Sequence, residues 1–369
     1  MSQYAAIDLS ALPAPDVIET LDYEAILARM LDDAKAALAE TLPDWDPTLE
    51  SDLLVILIQR WAYGALGLRA RVNDAARAVL LATATGADLD NIAALTNTAR
   101  LTIRAADPSA NPPVPAIMET DAALRRRVQL AWEGLSVAGS EGAYIYHALS
   151  ADGAVRDVAV HSPTPGDVVV TILGHEGDGS VTARETIADL PVTLTGDAVP
   201  LDGTAITDLA VTGAVLDTDY RWDSMTGTIT RTADSAIPGS GTVTVSYERA
   251  GVLERVEARL ADDDVRPLTD RVTVQSATVI PYTVEATLWL YDGPASGPVI
   301  AAAAEALTAT VTRLHTLGHD VTLSALYAAL HQPGVMRVDL TSPAADLVIG
   351  PAEAAYCTDM AVGLGGRDV

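Results

Sequence analysis

Apolar positions along the first hundred residues recur with a helical period. Tyr23, Ile26, Leu27, Met30, Leu31, Ala34 and Leu38 fall three or four apart, which predicts an amphipathic helix over 22–40. Asp22 is placed to cap it, and Glu24 suits the positive end of its first turn. Asp46-Pro47 marks a second start, because Pro fits the first helical position. Leu53, Leu57, Trp61, Gly64, Leu68, Val72, Ala75 and Val79 then continue the same stepping. The pattern predicts a helix over 48–85 that spans roughly 50 Å at 1.5 Å per residue. Gly86 is expected to end it, and Asp88 to cap a short helix through Leu95. So long an apolar seam does not suit a compact single domain. Leu53, Leu57, Trp61, Leu68, Val72 and Val79 are therefore expected to be covered by other chains, the alternative being an internal core against helix 22–40.

Ahead of these helices, Pro13 and Pro15 predict an extended arm over 1–20. Behind them, Pro108, Pro112, Pro113 and Pro115 predict a linker over 96–118. Thr120 or Asp121 should cap a helix to Leu135, with Leu124, Val128, Trp132 and Leu135 on one face and Arg125, Arg126 and Arg127 on its solvated side.

From Gly139 short helices alternate with strands. SEGAYIYHALS reads as a helix, 155–162 and 167–173 as strands, and 252–261 as a helix. RVTVQSATV and YTVEATLWLY read as strands, 298–317 and 323–332 as helices, and 335–342 and 346–350 as strands. YHALSADGAVRDVAVHSP (146–163) aligns with YAALHQPGVMRVDLTSP (327–343), which suggests two related modules. Residues 176–250 carry no helical pattern. Val192–Thr195, Leu209–Thr212, Thr228–Thr232 and Thr242–Tyr247 read as strands, with turns at SMTG (224–227) and PGSG (238–241). The fold class is α+β multidomain. An N-terminal arm and long-helix bundle region with its Pro-rich linker covers 1–118. A first small α/β module covers 119–175 plus 251–265 and is interrupted by an inserted all-β domain, 176–250. A second α/β module covers 266–350, and a mobile tail 351–369.

Composition narrows the function. Fifty acidic residues against 23 basic ones give a net charge of −27, which argues against nucleic acid and anionic membrane as partners. Phe is absent, so the core rests on Ala, Leu and Val. Cys357 stands alone and excludes an intramolecular disulfide. The acidic N-terminus does not read as a signal peptide, and no unbroken apolar run approaches a membrane span.

Candidate chemistry is sparse. His315 and His319 have an i, i+4 metal spacing, but Gly318 between them points to a helix end. GHEGDGS (174–180) lacks the Lys-Ser/Thr of a phosphate-binding loop. Asp262, Asp263 and Asp264 lack calcium-loop spacing, and Ser240 has no supporting His or Asp. No catalytic, cofactor-binding or metal-binding residue is assigned.

IDLSALPAPDVIETLDYEAIL near the N-terminus, LRARVNDAARAVLLATATGADLDNIAAL (68–95) and METDAALRRRVQLAWEGLSVAGSEGAYIYHALSADGAVRDVAVHSPTPGDVVVTIL (118–173) resemble the baseplate J-like proteins of contractile-tail phages. DDDVRPLTDRVTVQSATVIPYTVEATLWLYDGP (262–294) and LGHDVTLSALYAALHQPGVMRVDLTSPAADLVI (317–349) extend the resemblance. It covers nearly everything except 176–250, whose stretch from Asp219 to Ile229 resembles small β-modules of other tail proteins. The resemblance implies a non-catalytic wedge subunit of a virion tail baseplate, made in the host bacterial cytoplasm. Its implied partners are other copies of itself, a sheath-initiator wedge protein with a lysozyme-like fold, a tail protein I-type wedge protein, the central hub and the sheath. Two competing readings stand beside it. One is a tail-associated hydrolase using His315/His319 or an acidic pair. The other is a glycan- or receptor-binding tail protein with Trp222 as platform.

Overall fold

The computed structural model describes residues 7–13, 15–106, 111–136, 139–194, 197–201, 203, 205–224, 226–237, 241–293 and 295–368. Pro108, Met225 and Ser240, and most of the expected turn at 238–241, lie outside the described residues. The chain is mixed α/β, with eight α-helices and several small sheets among the described residues. It divides into two compact units.

One unit holds the N-terminal helices up to Arg100 together with Thr120–Gln129. Helix α1 (Tyr23–Leu38) starts where the Asp22 carboxylate accepts the Ala25 amide at 3.1 Å. Helix α2 (Leu53–Ala78) is capped by Asp52. It is shorter than the expected 48–85, about 39 Å long. Hydrogen bonds from the Trp45 indole (2.9 Å) and the Leu54 amide (2.8 Å) hold the Asp52 carboxyl below its usual range. Those contacts keep 48–52 out of the helix. Gly86 does not end α2 but opens helix α3 (Gly86–Ala94), at φ +53°. Asp88 sits in its first turn, and Thr85 takes the cap position.

Helix α4 (Asp121–Leu130) stops short of Leu135, and Glu133–Leu135 forms a separate 3-10 turn. Leu124 and Val128 are buried with Ala84, Leu89 and Ala93, whereas Trp132 and Leu135 are exposed. Of the arginine run only Arg126 is on a solvated face. Arg125 donates to the carbonyls of Leu81 (2.6 Å) and Ala84 (2.8 Å), and buried Arg127 donates to Ala99 O (2.6 Å). These carbonyls lie in the turns that follow α2 and α3, where a helix leaves acceptors unpaired. Arg100 bridges Asp90 (2.8 Å) and Asp121 (2.7 Å), which closes the same corner.

The other unit begins with strands β1 (Thr102–Arg104) and β2 (Ile117–Met118), paired antiparallel, so the Pro-rich linker is a hairpin at its two ends. Helix α5 (Glu141–Ala151) leads to β3 (Val155–His161) and β4 (Asp167–Gly174). The insert then runs through β5 (Arg184–Leu194), β6 (Val199–Pro200), β7 (Thr207–Val211), β8 (Tyr220–Asp223), β9 (Thr228–Arg231) and β10 (Gly241–Ala250). It forms two three-stranded sheets, β5-β10-β7 and β6-β9-β8, around Leu194, Ile206, Ile229, Val245 and Tyr247. The insert starts and finishes side by side. Gly251 N donates to Ala183 O at 2.7 Å, and a Cβ at Gly251 would meet Thr182 O at 2.4 Å.

Helix α6 (Val252–Leu260) and β11 (Arg271–Ser276) return to the first sheet, ordered β11-β4-β3, where β11 pairs parallel with β4. Sequence adjacency had placed 271–276 with the second module; its backbone pairing is with the first. The second sheet is ordered β13-β12-β14, from β12 (Thr278–Tyr291), β13 (Val335–Ser342) and β14 (Glu353–Asp368). Helices α7 (Ser296–Leu314) and α8 (Leu323–Leu330) join the core on one side of it. Both sheets have a central strand with one antiparallel and one parallel neighbour. Both aligned segments, 146–163 and 327–343, are helix, turn and strand. The expected strand at 346–350 is reduced to a bridge between Leu347 and Val321. The expected mobile tail is instead the long strand β14. Two of its glycines are explained by packing: a Cβ at Gly365 would meet the Trp289 ring at 2.7 Å and one at Gly366 at 3.1 Å.

Candidate assembly surface

Helix α2 has two unlike sides. Val55, Ile58, Ala62 and Asn73 are buried. Ile26 of α1 is buried as well, and α1 and α2 pack together. The Asn73 side chain donates to Glu19 O at 2.8 Å and accepts from Glu19 N at 3.0 Å, and Arg69 pairs with Glu19 at 3.1 Å. A single amide thus satisfies both backbone groups of a residue in the N-terminal arm, fixing the arm to this side of the helix.

The six seam residues stand on the other side. Leu53 is 76 % exposed, Leu57 53 %, Trp61 69 %, Leu68 71 %, Val72 54 % and Val79 74 %. Val79 is the C-cap residue, and the other five lie within α2. At about 100° per residue all six fall within an arc of roughly 100°, centred well away from the buried stripe. The structure therefore does not cover them with helix α1. Periodicity missed Ile56 and Tyr63, which are also exposed on α2, and Leu49 and Leu95 outside it. Ile56 and Tyr63 lie off the three-and-four stepping of the seam, so only the structure reveals a second apolar stripe.

Gly64 and Gly67 sharpen the asymmetry. Each costs helix stability relative to Ala by about 1 kcal/mol. A Cβ at either position would meet nothing within 4 Å, so no internal contact requires Gly there. Small residues on an exposed helix face allow another backbone to come close.

By length and composition alone α2 is long and apolar enough to cross a membrane, and little of it is buried. The expected absence of any span-length apolar segment is corrected: the stretch is interrupted by Arg60 and Arg69 and is still apolar enough on average.

The alternative sites look different in three dimensions. Helix α7 ends at Leu314, so His315 and His319 do not share a helix face. His315 is buried with Nδ1 2.7 Å from Ala355 O, while His319 is exposed. Burial pushes the His315 imidazole below its ordinary pKa, and the bond to Ala355 O opposes that only in part. Among the described residues, no group of three or more His, Cys, Asp or Glu side chains is placed to hold a metal. Trp222 packs half-buried against the core of the insert instead of presenting a platform. Asp219 is buried and accepts the amides of Val215 and Ala236, both at 2.8 Å, which lowers its pKa and gives it a structural task in the turns around it.

Comparison with known proteins matches residues 50–107 to the Baseplate J-like N-terminal domain and residues 282–363 to the Baseplate J-like protein C-terminal domain. The whole of the exposed seam lies in the first match. Over 370 aligned positions the chain is 42% identical to baseplate protein J of Escherichia phage P2, covering 98% of this chain and 99% of that protein.

Proposed function

The chain belongs to the baseplate J-like family, structural proteins of the phage virion that reside in the tail baseplate, and on that premise we propose that it is a wedge subunit whose α2 seam is buried between chains. The observation that carries this reading is the exposure of Leu53, Leu57, Trp61, Leu68, Val72 and Val79 along one side of a 26-residue helix and its cap. Covering each of these half- to three-quarter-exposed side chains is worth about 1–2 kcal/mol. The gross gain, on the order of 10 kcal/mol, is enough to offset much of the entropy of association. The second stripe through Ile56 and Tyr63 supports more than one neighbour for α2.

In this reading the helical N-terminal region joins a bundle with other copies and with a tail protein I-type wedge protein. A sheath-initiator wedge protein, the central hub and the sheath are its further partners. The two α/β modules and the β-domain inserted in the first then present the remaining wedge contacts. Contraction would use such interfaces because packed seams switch between discrete arrangements instead of deforming continuously.

The test is substitution of Leu68→Asp together with Val72→Asp. Both positions are exposed, so the free chain keeps its far-ultraviolet circular dichroism. Incorporation into particles, measured by immunoblot of purified tails, should be abolished. Normal incorporation would overturn the proposal. Flotation of the free chain with lipid vesicles that is lost in the double variant would assign the seam to a bilayer instead.

A further inference from the structure

Between its two apolar stripes, α2 carries a line of a different kind. Arg60, Gly64, Gly67 and Arg71 follow one another at steps of four, three and four residues, and all four are exposed. At about 100° per residue they fall within an arc of roughly 60°. Leu57, Trp61 and Leu68 flank this arc on one side, and Ile56 and Tyr63 on the other. The middle of the line is bare backbone. Its ends are arginines, eleven residues and about 16 Å of helix apart.

These two arginines are placed unlike the others of the helix. Arg69 pairs with Glu19 at 3.1 Å, and Arg77 with Asp74 at 3.5 Å. Among the described residues Arg60 and Arg71 make no ion pair, although the chain holds fifty acidic residues. A helix that covers the seam and closes on Gly64 and Gly67 takes both guanidinium groups out of water. A cation buried in that way needs a carboxylate, and the planar fork of Arg matches one through two parallel bonds.

We propose that the element seated on this line is an acidic helix of a different protein, with carboxylates about three turns apart that meet Arg60 and Arg71. The proposal rests on burial of the α2 seam between chains and supplies the chemistry of its cover. Charge selects against α2 of a second copy. Parallel packing sets each arginine beside its own equivalent, and antiparallel packing about Gly64 and Gly67 sets Arg60 beside Arg71, so like charges meet either way. Helix α1 of a second copy would bring the exposed carboxylate of Asp32, but Ala25, Ala28 and Ala36 around it offer the seam no large apolar side chain. The fitting partner is a helix that is apolar and acidic on the same face.

Purified tails test it. Arg60→Glu/Arg71→Glu should lower incorporation at least about tenfold, whereas Arg60→Lys/Arg71→Lys, which keeps both charges, should still incorporate. Both positions are exposed, so the free Glu variant keeps its circular dichroism. The Lys variant also supplies amines for zero-length carbodiimide coupling, and a Lys35→Arg background removes the only Lys native to the chain. Mass spectrometry of coupled tails should show amide bonds from both positions to Asp or Glu residues in one helix of a different protein. Normal incorporation of the Glu variant, loss of incorporation in the Lys variant, coupling to a second copy of this chain, or no coupling at either position would each overturn the proposal. Leu68→Asp/Val72→Asp keeps the two readings apart. If it blocks incorporation and the Glu variant does not, the seam stands and its acidic cover falls; if it incorporates normally, both fall.

Discussion

Single side chains in this protein do work that their neighbours in sequence do not reveal. Arg125, in a run of three arginines, is an acceptor-satisfying residue, with bonds of 2.6 and 2.8 Å to carbonyls more than forty residues earlier. Arg125→Ala leaves those carbonyls short of a charged donor and should cost about 2–3 kcal/mol, read as a lower thermal midpoint of the free chain. At 100° per residue only Arg126 lies opposite Leu124 and Val128, and it is exposed; Arg125 and Arg127 flank the buried face. What the period cannot convey is that the turns after α2 and α3 bring their carbonyls back to these two. His147 and His315 share another property: burial holds each below the ordinary imidazole value near 6.5. The unfolded chain then binds more protons than the folded one as pH falls below about 6.5. Stability from these histidines is complete above that value and declines as pH drops toward their folded values. Chemical denaturation at a series of pH values should show the decline. His315→Gln, which keeps a donor toward Ala355 O without a titrating ring, should make it shallower.

At the scale of elements, apolar period and capping chemistry identified α1 through Asp22 and the seam of α2, because both are local signals. The expected helix over 48–85 overran because Trp45 and Leu54 fix Asp52 as the cap, and an indole seven residues away is not part of a period. Strand β14 was hidden for a similar reason. GLGG reads as a mobile end until Trp289 packs over Gly365 and Gly366. Strand β11 follows the first module because parallel pairing with β4 joins positions 104 residues apart, such as Arg271 with Asp167. The seam itself was legible residue by residue, but its exposure was not, since one period describes an internal face and an external one alike. Gly64 separates the free helix from the assembled one. Gly64→Ala should stabilise the free chain by up to about 1 kcal/mol, since a Cβ there meets nothing. The same methyl group should reduce incorporation into tails if a neighbouring backbone approaches at that point. A Tm comparison and an immunoblot on the same variant read the two effects.

Considered whole, the molecule has a net charge of −27, so copies repel one another at long range and need local apolar surface to associate. The structure supplies that surface in α2, the helix that falls within the match to the N-terminal family domain. Family membership and an exposed seam point the same way: toward a structural part of the baseplate that works through its contacts. The most direct test is site-specific labelling at Leu68→Cys in a Cys357→Ser background, with a maleimide reagent applied to the free chain and to intact tails. Rapid labelling of the free chain and at least about tenfold slower labelling in tails is the predicted result, because a buried thiol reacts only when its cover opens. Equal rates in the two states would contradict the account, since they would leave the seam uncovered in the baseplate.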